Sequence, residues 1–147
     1  MKSAALKLLI KIAERRERMS AISVANRRRA VEEAVQLRAQ AQLRMERASF
    51  KAESERLNQA KVGGDGPVTA ERLREGHEYG YLLLWKALAE FSEVRKADVA
   101  LAERRSELAQ ATQLHREMVR RRQKLEAMYD KVLTRESPPD ALLEGDN

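Results

Sequence analysis

Two histidines and no cysteine are all that the chain offers for metal ligation or nucleophilic chemistry beyond its carboxylates and hydroxyls. His77-Glu78 opens like the HExxH helix of a zinc hydrolase, but position 81, where the second imidazole must stand, holds Tyr81. The glycine cluster Gly63-Gly64-Asp65-Gly66-Pro67 lacks the Lys-Ser/Thr that a phosphate-binding loop places behind its glycines. No Ser/His/Asp constellation converges on a rigid pocket. The sequence therefore reads as that of a non-enzyme, with no catalytic residue, no cofactor and no metal. His115 falls on an apolar helical stripe, where a core histidine satisfied by a neighbour is the better reading than a ligand or a switch.

Two concentrations of other side chains could bind partners. Arg15, Arg16 and Arg18 early in the chain, with Arg120, Arg121 and Arg122 late in it, make a basic cluster that Arg27, Arg28 and Arg29 extend. It reads either as a solvated charged face or as a footprint for an acidic protein surface. Nucleic acid is the weaker candidate: the net charge is only +6, no aromatics are interleaved with the arginines, and no groove-reading motif is present. The second concentration is apolar. Phe50, Tyr79, Tyr81, Leu82 and Trp85, joined by Leu83, Leu84, Leu88 and Phe91, hold most of the aromatics of a chain that is only 4% aromatic. Around residues 79–91 the apolar side chains encircle a helix instead of keeping to one stripe, so a single helical neighbour cannot cover them. Such a surface marks a docking site more often than local packing.

Both clusters must be positioned by helices. Residues 4–62 contain neither Gly nor Pro, the glycine cluster follows, and no proline recurs until Pro138. Charged residues make up 35% of the chain, and Ala, Leu, Glu, Gln and Arg dominate, which is the composition of a coiled coil. In the first arm, steps of three and four connect Ile10, Ala13, Glu17, Ser20, Val24, Arg27, Val31, Ala34, Arg38, Ala41, Met45, Ala48 and Ala52. In the second, the same steps connect Ala87, Glu90, Val94, Ala97, Leu101, Arg104, Leu108, Ala111, His115, Met118, Arg122, Leu125, Tyr129 and Val132. Sustained 3,4 spacing is the mark of a seam between supercoiled helices.

The expected fold is all-α, a long two-helix antiparallel coiled-coil hairpin. Residues 1–136 form it, with arm one over about 4–62, a turn at 63–68 and arm two over about 69–134; residues 137–147 are a disordered acidic tail. At ~1.5 Å per residue each arm would extend on the order of 90 Å. Folding back about the glycines sets Arg38 level with Glu90 and Glu93, Glu17 level with His115 and Arg116, and Arg27 level with Arg104. The last pair is repulsive: either the register is off by a turn there, or the side chains snorkel outward, or an acidic partner covers them. Thr69 is a candidate N-cap, but Gly76 and Gly80 each cost roughly 1 kcal/mol inside a helix, so the second helix starts either at Thr69 or near Gly80. No apolar run reaches the ~18 residues of a membrane span, and the start of the chain lacks the pattern of a secretory signal.

These features together resemble the FliJ/YscO family, the stalk proteins of bacterial type III export systems, flagellar and injectisome alike. The resemblance covers nearly the whole chain: an early helix start, a mid-chain break, and a last helix with Arg120-Arg121-Arg122-Gln123-Lys124-Leu125-Glu126 near its close. It implies a stalk that regulates an export ATPase and carries no enzymatic activity of its own. Its terminal end would insert in the hexameric export ATPase, which maps to Arg15, Arg16, Arg18, Arg120, Arg121 and Arg122. Its other end would contact the export gate membrane protein or secretion chaperones, which maps to Phe50, Tyr79, Tyr81, Leu82 and Trp85. The implied location is cytoplasmic, peripheral to the inner membrane at the export apparatus, with membrane contact only through partners. The competing readings from composition alone are a structural coiled-coil scaffold or homodimer and a nucleic-acid-associated rod.

Overall fold

In a computed structural model the described residues are 2–62 and 69–136, and all but Thr69 are helical. Helix α1 runs Lys2–Val62 and helix α2 runs Ala70–Glu136. The glycine-rich turn and the acidic tail anticipated from the sequence lie outside the described residues. The fold is all-α and antiparallel: Glu17 of α1 reaches Arg122 of α2, Arg27 reaches Glu107, and Arg44 reaches Glu90.

The start of α2 is settled by its cap. The Arg72 amide donates to Thr69 Oγ1 at 3.3 Å and the Leu73 amide to the Thr69 carbonyl at 3.1 Å. The first bond takes up a donor that the first helical turn cannot satisfy internally, and the second is the opening rung of the helical ladder. Glu71 sits in that turn and Arg135 in the last one, each beside the end of the helix dipole that favours its charge. The helix then continues through Gly76 and Gly80 without a break.

Two compact units divide the pair. The first joins residues 1–29 to 106–147, and the second is Ala30–Arg105. In the first unit Ala13, Ser20 and Val24 are buried, and Leu108, Ala111, His115, Met118 and Leu125 are half-buried opposite them. In the second, Ala34 and Ala41 of α1 are buried, as are Leu83, Val94 and Leu101 of α2. These positions follow the 3,4 stripes read from the sequence, and the α2 stripe extends back through Leu83, Gly80 and Gly76. Where alanine fills a layer, burial of its methyl contributes on the order of 0.8 kcal/mol, against about 1.5–3 kcal/mol for Leu83, Val94 or Leu101. No large side chain is fully enclosed among the described residues.

The two α2 glycines have a local cause. Gln59 of α1 lies against them and its side-chain amide donates to the Gly76 carbonyl. A Cβ on Gly76 would come within 3.0 Å of the Gln59 amide nitrogen, whereas one on Gly80 would stand 3.7 Å away, at ordinary contact distance. Gly80→Ala should therefore recover most of the ~1 kcal/mol that glycine costs within a helix and raise the melting temperature followed by circular dichroism. Gly76→Ala should gain less, because the Gln59 amide must shift and its hydrogen bond lengthens.

Candidate docking surfaces

The polar interruptions of the seam pair differently from the level arrangement anticipated from the sequence. Arg27 bonds Glu107 at 2.9 Å in place of facing Arg104, and Arg38 bonds Asp98 at 2.5 Å in place of Glu90 or Glu93. Glu90 instead accepts from Arg44 at 3.4 Å, and Glu17 accepts from Arg122 instead of from His115 or Arg116. Every partner on α2 is displaced toward its C-terminus. The cause is the tilt of helical side chains toward the N-terminus of their own helix. In an antiparallel pair the two tilts are opposed, so side chains meet when each residue stands beyond the other's level. The displacement replaces the expected Arg27–Arg104 clash with an ion pair.

Inside the first unit one network ties the helices. Arg122 Nη1 donates to both carboxylate oxygens of Glu126 at 2.9 and 3.0 Å while Nε serves Glu17. These hydrogen bonds, Glu17's first and Glu126's second, push the Arg122 guanidinium further above its already high ordinary pKa. One turn from Glu17, the Ser20 hydroxyl donates to the Glu17 carbonyl at 2.7 Å and lies 2.8 Å from His115 Nδ1. A hydroxyl has one proton, already given to the carbonyl, so Nδ1 carries the hydrogen of its own bond and donates to Ser20. His115 is thus a satisfied seam histidine.

The six arginines of the basic cluster consequently separate. Arg122 is an internal brace with a side chain only 25% exposed. Arg15 and Arg16 line a shallow groove with Ile12, Met19, Leu114 and Met118. Arg121, two turns after Leu114, shares its side of α2, and Arg18 borders Ile22 one turn along α1. Arg120, two residues from the half-buried Met118, faces away from the seam. An apolar component escaped the sequence reading: Leu8, Ile12, Met19 and Ile22 are all exposed and form, with Arg15 among them, a second 3,4 stripe on α1. Its signal was present in the spacing but masked by the stronger seam on nearly the opposite side of the helix.

In the second unit Phe50, Trp85 and Tyr81 are 75%, 70% and 65% exposed, and Tyr79 and Leu82 are exposed as well. The structure does not gather these five on one face. Tyr79 and Leu82 lie on one flank of α2, Tyr81 on the other with Leu84 and Leu88, and Trp85 between the two groups. Tyr81 and Leu84 also line a groove against Ser49, Ala52, Glu53 and Arg56 of α1. Arg95 covers part of the Phe91 ring at 5.3 Å from its centroid.

Among the described residues, no group of three or more side chains is arranged to hold a metal ion, and no helix is long and apolar enough to cross a membrane. No family model matches the chain, and neither a curated protein nor a solved structure matches it.

The division of the arginines has a direct test. Arg122→Met should lower the melting temperature by several degrees, since Glu17 and Glu126 lose their shared cation. Arg120→Met, on an exposed face, should leave it nearly unchanged. Thermal melts of the two variants side by side check this.

Proposed function

We propose that the chain is a non-enzymatic stalk of a bacterial type III protein export apparatus. The first unit docks on the hexameric export ATPase, and the aromatic surface of the second contacts the export gate or a secretion chaperone. The observation that carries the reading is the exposed stripe Leu8, Ile12, Met19 and Ile22 with Arg15, Arg16 and Arg18 set in and beside it, in the unit that joins the start of α1 to the end of α2. An apolar ridge studded with arginines fits a partner cleft that is apolar at its centre and acidic at its rim. The antiparallel two-helix fold and the FliJ/YscO resemblance of the sequence are consistent with it.

The mechanism is differential contact. A helical pair that binds some subunit conformations of a ring better than others shifts their populations, and so promotes ring assembly or turnover without supplying a reacting group. The work of hydrolysis stays with the ATPase. The stalk needs only a rigid surface, which the braced seam around Arg122 provides. This activity places the protein in the cytoplasm at the inner face of the export apparatus, reaching the membrane through its partners.

A second reading, a structural coiled-coil scaffold, is favoured by the amount of apolar surface that the second unit leaves exposed. ATP hydrolysis by the purified export ATPase separates the two. The triple variant Arg15→Glu, Arg16→Glu and Arg121→Glu should remove at least tenfold of the stimulation seen with the wild-type chain while keeping its helical circular dichroism. Arg122 is left intact because Arg122→Glu would set three carboxylates together and unfold the brace. Full stimulation by the triple variant, or none by the wild type, rejects the stalk reading. Tyr81→Ala with Trp85→Ala should weaken gate or chaperone binding and spare stimulation.

A further inference from the structure

Helix α2 carries, besides its seam, a second stripe that reads the same in both directions. At its centre stand Tyr81, Leu84, Leu88 and Phe91, spaced three, four and three residues apart. Outward follow His77 and Arg95, each four residues from its neighbour, and then Leu73 and Val99, four further on. Spacing and chemistry are both palindromic about Lys86: leucine faces leucine, aromatic faces aromatic, cationic or imidazole side chain faces its like, and aliphatic ends face aliphatic ends. All six of its apolar members are exposed. The 3,4 steps are those of a coiled-coil seam, yet α1 occupies the other seam, through Leu83, Ala87, Glu90 and Val94.

From this pattern we propose that a second copy of the chain covers the stripe, α2 packing antiparallel on α2 about a two-fold axis that crosses the stripe at the level of Lys86. A two-fold interface must be complementary to itself, which a palindromic stripe is and an arbitrary one is not. The axis sets Leu84 against Leu88 of the second copy twice over, and Tyr81 against Phe91 twice over, while the two Trp85 rings flank it on the same side. Because a two-fold axis perpendicular to both helices keeps each flank on its own side, the charged residues beside the stripe can also be paired. On the Trp85 flank the order is Arg74, Glu78, Lys96 and Glu103. The axis brings Glu78 toward Lys96 of the second copy and Arg74 toward Glu103, and each partner lies slightly beyond level. That is the same displacement that the opposed tilts impose on the ion pairs within the chain. Three exposed aromatics and four exposed aliphatics amount to on the order of 700 Å² per protomer, close to the ~800 Å² that each side of a standard interface buries. Enough apolar surface is present for a stable dimer.

Sedimentation velocity of the full chain from about 1 to 100 μM tests the proposal, the upper end being a range in which an interface of this class is populated. Wild-type chain should sediment as a dimer, and Leu84→Glu with Leu88→Glu should raise the dissociation constant at least about a hundredfold with helical circular dichroism retained. Glu78→Lys should weaken the dimer, and adding Lys96→Glu should restore it, which a merely unfolded variant cannot do. Spin labels on Glu71→Cys, unique because the chain lacks cysteine, should lie about 45 Å apart in the antiparallel dimer, whereas a parallel one would bring them within about 15 Å. A wild-type monomer throughout that range, a dimer indifferent to the Leu84 and Leu88 substitutions, failure of the charge swap, or the short label distance each overturns it. The outcome is independent of the ATPase assay, which reads the first unit.

Discussion

Two helices lying side by side can each bury one stripe about a third of their circumference wide, and every other feature of this molecule follows from how that single stripe is used. On α1 it is filled mainly with alanine, Ala13, Ala34 and Ala41 beside Val24, so those layers contribute little. Nothing in the pair can cover residues on the remaining two thirds of either helix. Leu8, Met19 and Ile22 in one unit and Tyr81, Trp85 and Leu88 in the other are exposed for that geometric reason, not through imperfect packing. In helices this polar elsewhere, apolar residues repeated at 3,4 spacing outside the seam have the pattern of a second helix-packing face.

An alanine seam also creates a problem of register. Ala13, Ala34 and Ala41 of α1 offer nearly equivalent places to the larger side chains of α2, so sliding one helix by a heptad would cost little in apolar burial. The polar interruptions remove the degeneracy. Arg27–Glu107, Arg38–Asp98 and Arg44–Glu90 are exposed pairs whose individual stabilisation is small, but a heptad slip would break all three, setting Arg27 against Leu114 or Ala100, Arg38 against Arg105 or Phe91 and Arg44 against Ala97 or Leu83. In the Glu17–Arg122–Glu126 brace the less exposed Arg122 and Glu17 meet across the seam, and one guanidinium serves carboxylates of both helices through different nitrogens. Specificity in this fold resides in charge placed at the edge of the seam, while cohesion resides in the few leucines and valines within it.

The stripes, the N-cap at Thr69 and the antiparallel fold were all legible in the chain because each depends on spacing within one helix. What depended on the relation between helices was not. The partner of Arg38 could not be found by assigning levels, since the tilt and length of the side chains displace contacts by one to two turns; including that displacement would have pointed to Asp98 and Glu107. Arg122 looked like one of three equivalent surface arginines, although its place in the 3,4 series already set it on the seam. Gly76 and Gly80 suggested a late helix start because their cost in helix propensity is visible in the sequence and the compensating Gln59 contact, made across the turn, is not.

Tyr81 and Trp85 belong both to the palindromic stripe and to the surface proposed to meet an export partner, and this overlap has a thermodynamic consequence. A second copy and an external helix cannot occupy the same residues at once, so each reduces the apparent affinity of the other by the fraction of surface it holds. At high chain concentration and without a partner, self-pairing would shield the aromatics from water and from nonspecific association. A partner that contacts Tyr79 and Leu82 on the far flank as well as Trp85 engages side chains that the two-fold pairing leaves uncovered, and so has contacts from which to displace the second copy. The same encircling arrangement that no two-helix fold can bury therefore supports an exchange, in which α2 trades a copy of itself for a partner without any change in its own seam.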